Sequence, residues 1–272
     1  MRTVVDEELV IWVMPVYRSA NTIERALDSV LHQTYHRQIV LVIAEPDDNE
    51  VCSIVKKYED KDKRVRLIQN EVRCGISRSL NRGLDIAISE YPDCKYIARM
   101  DSDDYSYPNR LEKQVFFLEE NPLISLCGSN IRMINNGRDF VVVYPKDMDG
   151  ILASSLFVSP FAHPSIIAKK EFYYENYYKD DVVAEDYELW LRSLRDRRMA
   201  NLQETLLDFY CDGEHASNTE AAIASTIEVR KKYLFDYLGV DTSDITDQAI
   251  FHRLIPTQYK STRDTIISCA TL

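Results

Sequence analysis

The fold is decided by residues 96–111, which read YIARMDSDDYSYPNRL. Residues 96–100 form a short, mostly apolar run, which is typical of a buried strand. Pro108 suits the first turn of a helix, where its missing N–H costs nothing, so the stretch is predicted to begin as a strand and to end as a helix. Between the two lie three carboxylates within four residues, those of Asp101, Asp103 and Asp104.

Two of these carboxylates are spaced for a shared ligand. Asp101 and Asp103 are two residues apart, so in an extended segment both side chains would point to the same side. Their like charges repel by about 1 kcal/mol or more even in water. A divalent cation reverses that repulsion, and hard oxygen ligands beside room for phosphate oxygens suit Mg²⁺ or Mn²⁺. The alternative is an ordinary acidic turn, because Asp, Ser and Pro are common turn residues.

The composition is that of a soluble enzyme and limits the partners that we expect. The chain has 272 residues, of which 45% are apolar and 28% charged, enough for one large domain or one domain with a small appendage. Its net charge of −11 argues against nucleic-acid binding, which usually needs a basic face. An anionic small ligand is still compatible with this charge, because a metal ion can supply positive charge locally.

Three further features argue against common alternatives. The six cysteines lie 20 to 84 residues apart without a C-x-x-C pair, so neither a zinc site nor a disulfide framework is indicated. None of the seven glycines forms a G-x-G-x-x-G or G-x-x-x-x-G-K loop, which argues against a dinucleotide-binding or Walker-type site. The acidic N-terminus lacks a long apolar run, so we expect no signal peptide and a cytoplasmic protein for which peripheral membrane contact is compatible.

The first part of the chain alternates strands and helices. Strands are predicted at residues 9–14, 39–44, 65–69 and 96–100, with one helix in each interval between them. This alternation predicts an α/β fold with a doubly wound, mostly parallel central sheet flanked by helices. In such sheets ligands bind at the carboxyl ends of the strands, where Tyr17, Glu45 and Asp101 lie. The acidic tetrad is therefore interpreted as a site rather than a turn.

Beyond residue 111 the pattern changes. Two strand-like runs, at residues 124–134 and 140–144, are joined by Asn135-Asn136-Gly137, a strong hairpin signal. Another helix is predicted from residue 184, with acids near its N-terminus, where the helix dipole favours them. A further amphipathic helix is predicted after His215, to about residue 238.

Six motifs in this order resemble those of glycosyltransferase family 2, whose members are inverting enzymes with the GT-A fold. Each motif alone is weak, whereas all six in the family's order, over roughly residues 10–215, are highly specific. The similar stretches are Pro15-Val16-Tyr17; His32-Gln33-Thr34-Tyr35; Asn70 with Gly75, Leu80-Asn81 and Gly83; Asp101-Ser102-Asp103-Asp104 with Pro108-Asn109-Arg110-Leu111; Phe161-Ala162-His163-Pro164; and Glu185-Asp186-Tyr187-Glu188-Leu189-Trp190.

The resemblance implies a nucleotide-sugar donor, most often a UDP-sugar, and a divalent cation, Mn²⁺ or Mg²⁺. It implies that Asp101 contacts the donor ribose and that Asp103, with Asp101 beside it, holds the cation on the diphosphate. Asp186 would be the general base that deprotonates the acceptor hydroxyl, so that attack from the opposite side inverts the anomeric centre. At a helix N-terminus this carboxylate is expected to stay ionised at neutral pH.

Further donor contacts follow from the same resemblance, at Pro15, Tyr17, Glu45, Arg78 and Ser102. The family commonly has Asp-Asp-Gly-Ser after its second strand, and its second Asp reads the base, whereas this chain has Ala44-Glu45-Pro46-Asp47. Glu45 is still able to accept from a uracil N–H, so UDP is the expected nucleotide, with dTDP and GDP as alternatives.

Several single residues have two interpretations. Tyr17 either stacks on the base or caps its strand, and Arg78 either approaches the diphosphate or lies on a solvated helix face. His163 is interpreted either as a structural hydrogen-bonding residue, which is favoured, or as an acid or base. It is placed on the acceptor side together with Trp190. Arg99 is interpreted as a partner of Asp104.

Two further residues are given roles, the first because several relatives have a histidine at a similar position. His215 is a candidate metal ligand, and Glu185 is expected to orient the Asp186 loop. The tyrosine-rich stretch 172–178 is interpreted either as the lining of an acceptor site or as an amphipathic edge.

The predicted organisation is a donor-binding half at residues 1–122, an acceptor-side half at 123–215 and a C-terminal helical extension at 216–272. The predicted function is metal-dependent transfer of a hexose or N-acetylhexosamine to a hydroxyl of a glycan or lipid-linked oligosaccharide, at the inner face of the plasma membrane. The alternatives are a degenerate nucleotide-sugar-binding scaffold subunit and a nucleotidyltransferase. Retention of both Asp103 and Asp186 argues against a scaffold, and the absence of a glycine-rich phosphate loop near residues 15–21 argues against a nucleotidyltransferase.

Overall fold

The structure, a computed structural model, describes residues 7–135, 137–155, 157–211, 220–239 and 241. The strands are β1 Leu9–Val16, β2 Gln38–Ala44, β3 Val65–Gln69, β4 Cys94–Arg99, β5 Tyr105–Ser106, β6 Ile124–Asn135, β7 Arg138–Val142, β8 Ile167–Lys169 and β9 Arg198–Tyr210. The helices are α1 Ile23–Leu31, α2 Asn49–Lys61, α3 Gly75–Ser89, α4 Arg110–Glu120, α5 Met148–Ser155, α6 Glu185–Ser193 and α7 Glu220–Leu238.

One sheet runs through the described residues, with strand order β3-β2-β1-β4-β8-β6-β9-β5 and β7 paired to β6. Strands β1, β2, β3 and β4 are parallel, because a helix between each strand and the next along the chain returns the chain to the same end of the sheet. β8 is antiparallel to both β4 and β6 and so joins this parallel half to the second half. The predicted α/β class is confirmed.

The core has two layers, because successive side chains of a strand point to opposite faces. Trp12 and Met14 of β1 pack in one apolar cluster with residues of α1, α2 and α4. Ile11 and Val13 pack in the other, with residues of α3 and α6. Burial on both faces explains why β1 and β2 read as continuous apolar runs, and each such buried side chain contributes about 1.5–3 kcal/mol.

The close packing of α3 on β1 depends on a glycine. A Cβ atom on Gly83 would lie 2.5 Å from Cγ1 of Val13 and 3.4 Å from Cγ1 of Ile43, so only a glycine lets the helix approach the sheet this closely. The approach brings the start of α3 toward the carboxyl ends of β1 and β2. Gly83 therefore fits a packing role in the motif that contains it.

The stretch that decides the fold differs in detail from the expectation. β4 ends at Arg99, residues 102–103 form a turn, and α4 begins at Arg110, two residues after Pro108. Hydrogen bonds from other elements explain the later start, because Gln33 on the loop after α1 accepts the N–H of Leu111 and donates to the carbonyl of Tyr107. The segment at the carboxylates is thus a turn and not an extended strand.

The second half contains elements that the sequence pattern did not reveal. The predicted hairpin is confirmed as β6 and β7, but β5, α5, β8 and the long β9 were not predicted. β9 runs parallel to β6 over most of its length and ends beside the acidic turn.

α7 packs against α6, and its Ile227, Arg230 and Tyr233 side chains are buried. Among the helices of the described residues, none combines the length and apolar character needed to cross a bilayer.

Candidate active site

Three carboxylates meet at the carboxyl end of β4. One ligand oxygen from each of Asp101, Asp103 and Asp104 lies within 4.8 Å of the others. Asp101 is half-buried, Asp103 is exposed and Asp104 is completely buried, with Ser102 buried between the first two. The turn at 102–103 brings about the convergence that an extended segment was expected to give.

Asp104 is the member of this cluster for which no ligand role was predicted. Its Oδ1 accepts the N–H of Tyr210 at 3.0 Å, whereas its buried Oδ2 has no hydrogen-bond partner among the described residues. Burial, followed by the charges of Asp101 and Asp103, raises the pKa of Asp104 well above its ordinary value. A buried oxygen without a partner beside two other carboxylates fits the oxygen-rich ligand set that Mg²⁺ and Mn²⁺ prefer.

Arg99 is the cation of this region. It is 4% exposed and forms an ion pair with Asp101, not with Asp104 as expected from the sequence. Coulomb attraction to Asp104 is present but weaker than the direct ion pair, because Asp101 accepts a hydrogen bond as well. The position of Arg99 at the end of β4, opposite Val13 of β1, explains why its guanidinium is buried beside the acidic turn.

Glu185 and Asp186 form the first turn of α6. Burial, followed by the charge of Asp186, raises the pKa of Glu185 to about 8. Burial also raises the pKa of Asp186, although the N–H of Tyr187 and the charge of Arg99 oppose the shift. Loss of solvent outweighs the backbone N–H groups of the helix N-terminus in its effect on the pKa of Asp186. That Asp186 is ionised at neutral pH stays a prediction.

An aromatic group lies behind these acids. Nε2 of His163 lies 2.8 Å from the hydroxyl of Tyr178, and Nδ1 lies 4.0 Å from Glu185. The His163 ring meets the edge of fully buried Trp190 at 5.8 Å. Burial, with a smaller effect of Arg99, lowers the pKa of His163 well below its usual range, so the ring is neutral at pH 7. These contacts are those of a structural hydrogen-bonding residue.

The tyrosine-rich stretch is mainly part of the core. Phe172, Tyr173 and Tyr178 are buried, whereas Tyr174 is 53% exposed. The side-chain N–H of Asn81 donates to the carbonyl of Tyr178 at 2.8 Å, and the side-chain oxygen of Asn81 accepts the N–H of Tyr178 at 2.9 Å. These two bonds tie the stretch to α3. Only its exposed side chains remain able to line a binding surface.

The candidate donor residues lie along the ends of β1 and β2. Pro15 pairs in register with Ile43, and the ring of Tyr17 has the guanidinium groups of Arg18 and Arg73 at 4.9 and 4.5 Å from its centre. These cations approach the aromatic ring that was expected either to stack on a base or to cap its strand.

Glu45 has partners that the sequence did not suggest. Its buried carboxylate accepts the N–H groups of Cys74 and Gly75, at 3.2 and 2.8 Å, at the N-terminus of α3. Cys74 is the N-cap of α3 but gives no side-chain cap, so Glu45 satisfies these amide groups from β2.

Two predicted residues lie apart from the carboxylate cluster or outside the described residues. Arg78 is exposed on α3, and its side chain forms a 2.8 Å ion pair with Asp180. This arrangement agrees with the interpretation of Arg78 as part of a solvated helix face. His215 lies outside the residues that the structure describes.

Two motif residues without a predicted role support the acidic turn. Completely buried Arg110 donates from Nη2 to the carbonyl oxygens of Arg99 and Ile166, at 2.9 and 3.1 Å, and burial lowers its pKa to about 9. Nε2 of Gln33 donates to the hydroxyl of Ser106 and to the carbonyl of Tyr107. Both residues belong to the motifs found in the sequence, which was the signal that they matter. Membership of a motif does not by itself distinguish a residue that supports the site from one that takes part in the reaction.

Relatives with known names share most of the chain. An O-antigen biosynthesis glycosyltransferase, WbnJ of Escherichia coli, is 33% identical over 251 residues, which cover 88% of this chain and 93% of the relative. The UDP-Glc:alpha-D-GlcNAc-diphosphoundecaprenol beta-1,3-glucosyltransferase WfgD of E. coli is 28% identical over 248 residues, covering 86% and 87%.

Solved structures share the fold. The structure of Staphylococcus aureus TarS 1–349 in complex with UDP-GlcNAc has a TM-score of 0.69 and 19% identity, covering 90% of this chain and 71% of that one. The mannosyltransferase PcManGT from Pyrobaculum calidifontis, in complex with GDP-Man and Mn²⁺, has a TM-score of 0.60 and 18% identity, covering 86% and 65%. The predicted GT-A fold is confirmed by these neighbours.

The family profile described as "Glycosyl transferase family 2" matches residues 11–176, more than half of the chain. This range contains the acidic turn and the residues that support it. The chain belongs to glycosyltransferase family 2 and is a glycosyltransferase.

Proposed function

We propose that this protein is a metal-dependent, inverting glycosyltransferase that moves a sugar from a UDP-sugar to a hydroxyl of a glycan or lipid-linked oligosaccharide. The observation that carries the proposal is that two groups of carboxylates interact across the site. Burial is the main cause that raises the pKa of both Glu185 and Asp186 on α6, and the charge of Asp101, just after β4, adds a smaller increase to each, so the acidic turn and the first turn of α6 lie within electrostatic range.

Asp101, Asp103 and Asp104 would hold the divalent cation. The support for this is their mutual approach and the partnerless Oδ2 of Asp104. When bound, the cation would neutralise charge on the departing diphosphate. His215 remains a proposed additional ligand.

Asp186 would act as the general base. A half-buried carboxylate with a raised pKa is a better proton acceptor than a solvated one, and proton transfer to such a group typically contributes 10²- to 10⁴-fold in rate. Burial raises the pKa of Asp186, and the positive charge of Arg99 opposes that increase and so favours the ionised form that a base needs. Glu185 would orient the base, and His163 and Trp190 would support the acceptor side of the site.

The donor nucleotide would lie across the ends of β1 and β2, near Pro15, Tyr17, Glu45, Arg78 and Ser102, with Asp101 at its ribose. UDP is the proposed nucleotide because relatives are described with UDP-GlcNAc and UDP-Glc, with GDP and dTDP as alternatives. Inversion is supported by WfgD, whose name gives a β linkage formed from UDP-Glc, because UDP-glucose is an α-linked donor.

The proposed organisation places donor binding in residues 1–122, acceptor binding in 123–215 and a helical extension in 216–272. An acceptor linked to a lipid diphosphate would bring the protein to the cytoplasmic face of a membrane as a peripheral protein. This location is proposed from the names of relatives that act in O-antigen biosynthesis or on a diphosphoundecaprenol-linked sugar.

Thermal unfolding with nucleotides tests the proposal. The protein is heated with UDP, GDP, dTDP or CMP, each with Mn²⁺ and with a chelator. A ligand at about 100 times its Kd adds about 2.7 kcal/mol of stability, enough to raise Tm by several degrees. We expect a shift with UDP that needs Mn²⁺ and that is lost in Asp103→Ala.

Asp93→Ala is the matched control, because Asp93 is exposed just before β4, at the end of that strand opposite the acidic turn. An equal UDP shift with chelator, or in Asp103→Ala, would contradict the metal site. A Tm shift with GDP alone would mean that GDP, and not UDP, is the donor nucleotide. No shift with any nucleotide would contradict the proposal and favour a scaffold subunit.

A further inference from the structure

The helix that carries the proposed base begins at a residue that gives it no side-chain cap. Ala184 is the N-cap of α6, and alanine offers no oxygen to the first amide groups of a helix. An oxygen comes instead from α7. The hydroxyl oxygen of Ser225 accepts the N–H of Val183 at 3.1 Å and the N–H of Ala184 at 3.3 Å.

This arrangement leaves other amide groups for the base itself. A Ser, Thr or Asp at an N-cap accepts the N–H of the second or third helical residue, which in α6 are Asp186 and Tyr187. The backbone N–H groups of those two residues favour the charged form of the Asp186 carboxylate and oppose the increase in its pKa that burial causes. Ser225 bonds to the amide groups of residues 183 and 184 and therefore fixes the start of α6 without competing for the N–H groups of Asp186 and Tyr187.

Ser225 is itself on a firmly held element. Arg230 of α7 is 3% exposed, and its Nε donates to the hydroxyl of Tyr187 at 3.1 Å. Its Nη2 donates to the carbonyl of Phe157 at 2.6 Å, and the hydroxyl of Tyr187 donates to the carbonyl of Ser155. Two points of α7 thus hold the segment, one before Asp186 and one directly after it.

We propose that Ser225 is a positioning residue for the general base, fixing residues 183–184 from α7 so that the Asp186 carboxylate faces the acceptor hydroxyl. The inference rests on the proposed role of Asp186. It gives α7 a function in the reaction, because displacement of a reacting group by about 1 Å is enough to cost up to 100-fold in rate.

Three variants test the inference in the full chain. Ser225→Ala removes the hydroxyl, and Ser225→Thr retains it. Ser89→Ala is the matched control, since the Ser89 hydroxyl donates to the carbonyl of Asp85 within its own helix, α3. Each variant is compared with Asp186→Asn.

Hydrogen–deuterium exchange gives the readout that needs no acceptor. In Ser225→Ala we expect the amide groups of Val183 and Ala184 to exchange at least about tenfold faster, while the amide of Phe157, at the Arg230 contact, keeps its rate. Ser225→Thr should restore slow exchange, and Ser89→Ala should leave residues 183–184 unchanged. Unchanged exchange in Ser225→Ala would overturn the inference.

Release of UDP, with Mn²⁺ and each of UDP-glucose, UDP-galactose and UDP-GlcNAc, gives the second readout. We expect Ser225→Ala to lower kcat by about 10- to 100-fold with the affinity for UDP unchanged within twofold, and Ser225→Thr to recover most of the rate. Faster exchange without a decrease in kcat would also overturn the positioning role.

The activities of the Asp186→Asn and Ser225→Ala variants distinguish a wrong assignment of the base from a wrong role for Ser225. If Asp186→Asn released UDP at the wild-type rate, the base assignment would be wrong whatever Ser225→Ala did. If Asp186→Asn were inactive while Ser225→Ala was fully active, the base would stand and the role of Ser225 would fall.

Discussion

The guanidinium of Arg99 and the carboxylate of Asp101 form an ion pair at the carboxyl end of β4, with Arg99 almost completely buried. The same guanidinium opposes the effect of burial on the pKa of Asp186. The buried Arg99 thus pairs with a carboxylate on the proposed donor side and lowers the pKa of a carboxylate on the proposed acceptor side. Its cost of burial is offset by the surrounding acids, because an unpaired guanidinium would be strongly unfavourable there.

Replacing Arg99 by methionine should shift the pH dependence of the reaction. Because the positive charge of Arg99 lowers the pKa of Asp186, its removal should raise the apparent pKa of the coupled Glu185–Asp186 pair. The acidic limb of the kcat profile should therefore move to higher pH. UDP release measured from pH 5 to 9 checks this, with Arg99→Lys as the variant that keeps a charge. An acidic limb that stays in place in Arg99→Met would contradict the electrostatic role.

Asp186→Asn should remove proton transfer while keeping the shape of the side chain. We expect the rate of sugar transfer to fall by about 10²- to 10⁴-fold, while the affinity for UDP with Mn²⁺ stays within twofold of the wild type. Asp196→Asn is a matched control, because Asp196 is exposed beyond the end of α6. Wild-type turnover in Asp186→Asn would mean that another group accepts the proton.

Glu185→Gln should change how stability depends on pH. In the folded protein the pKa of Glu185 is raised from 4.5 to about 8, so between these values the folded state holds a proton that the unfolded state has lost. The contribution of Glu185 to stability is therefore present below about pH 4.5 and is lost as the pH rises toward 8. Glutamine does not titrate, so the variant should gain stability relative to wild type from pH 5 to pH 8.

Urea unfolding in a chelating buffer at pH 5, 6.5 and 8 measures this gain. Glu228→Gln is the control, since Glu228 is 73% exposed on α7 and should show a difference from wild type that hardly varies with pH. A Glu185→Gln difference that is the same at all three pH values would show that Glu185 is not protonated in the folded state.

Gly83→Ala should destabilise the packing of α3 on β1. The new Cβ would lie 2.5 Å from Cγ1 of Val13, and overpacking of this kind typically costs about 1–3 kcal/mol. Urea unfolding gives the free energy. The double variant Gly83→Ala with Val13→Ala should be less destabilised than the sum of the single variants, because the shortened side chain relieves the clash. Strict additivity would mean that the two residues do not oppose each other.

The parallel half of the fold was predictable because its signals are local. β1 and β2 are buried on both faces and read as continuous apolar runs, while the helices between them repeat apolar residues at helical spacing. The hairpin of β6 and β7 was predictable because turn residues mark it. β9 was not, since the run from Arg198 to Tyr210 carries polar residues in its middle and is held mainly by its partner β6.

The acids of the proposed site could be named from the motifs, and their roles stay predictions, whereas the contacts between them and other residues could not be named. The motif spacing identified the acids, but it could not show that Glu45 caps the start of α3, that Arg99 pairs with Asp101 or that Ser225 holds the amides before Asp186. Each of these contacts joins residues from different elements. Such contacts depend on how the elements pack, for which a single sequence has no local signal.

The most direct measurement is the configuration of the sugar released from an α-linked UDP-sugar. The protein is incubated with Mn²⁺ and UDP-glucose, UDP-galactose or UDP-GlcNAc. ¹H NMR then records the anomeric proton of the released sugar early, before mutarotation equilibrates the two anomers. If Asp186 activates water or an acceptor hydroxyl from the side opposite the diphosphate, the β-anomer appears first. The α-anomer as the first product would contradict the inverting mechanism and, with it, the role of Asp186 as base.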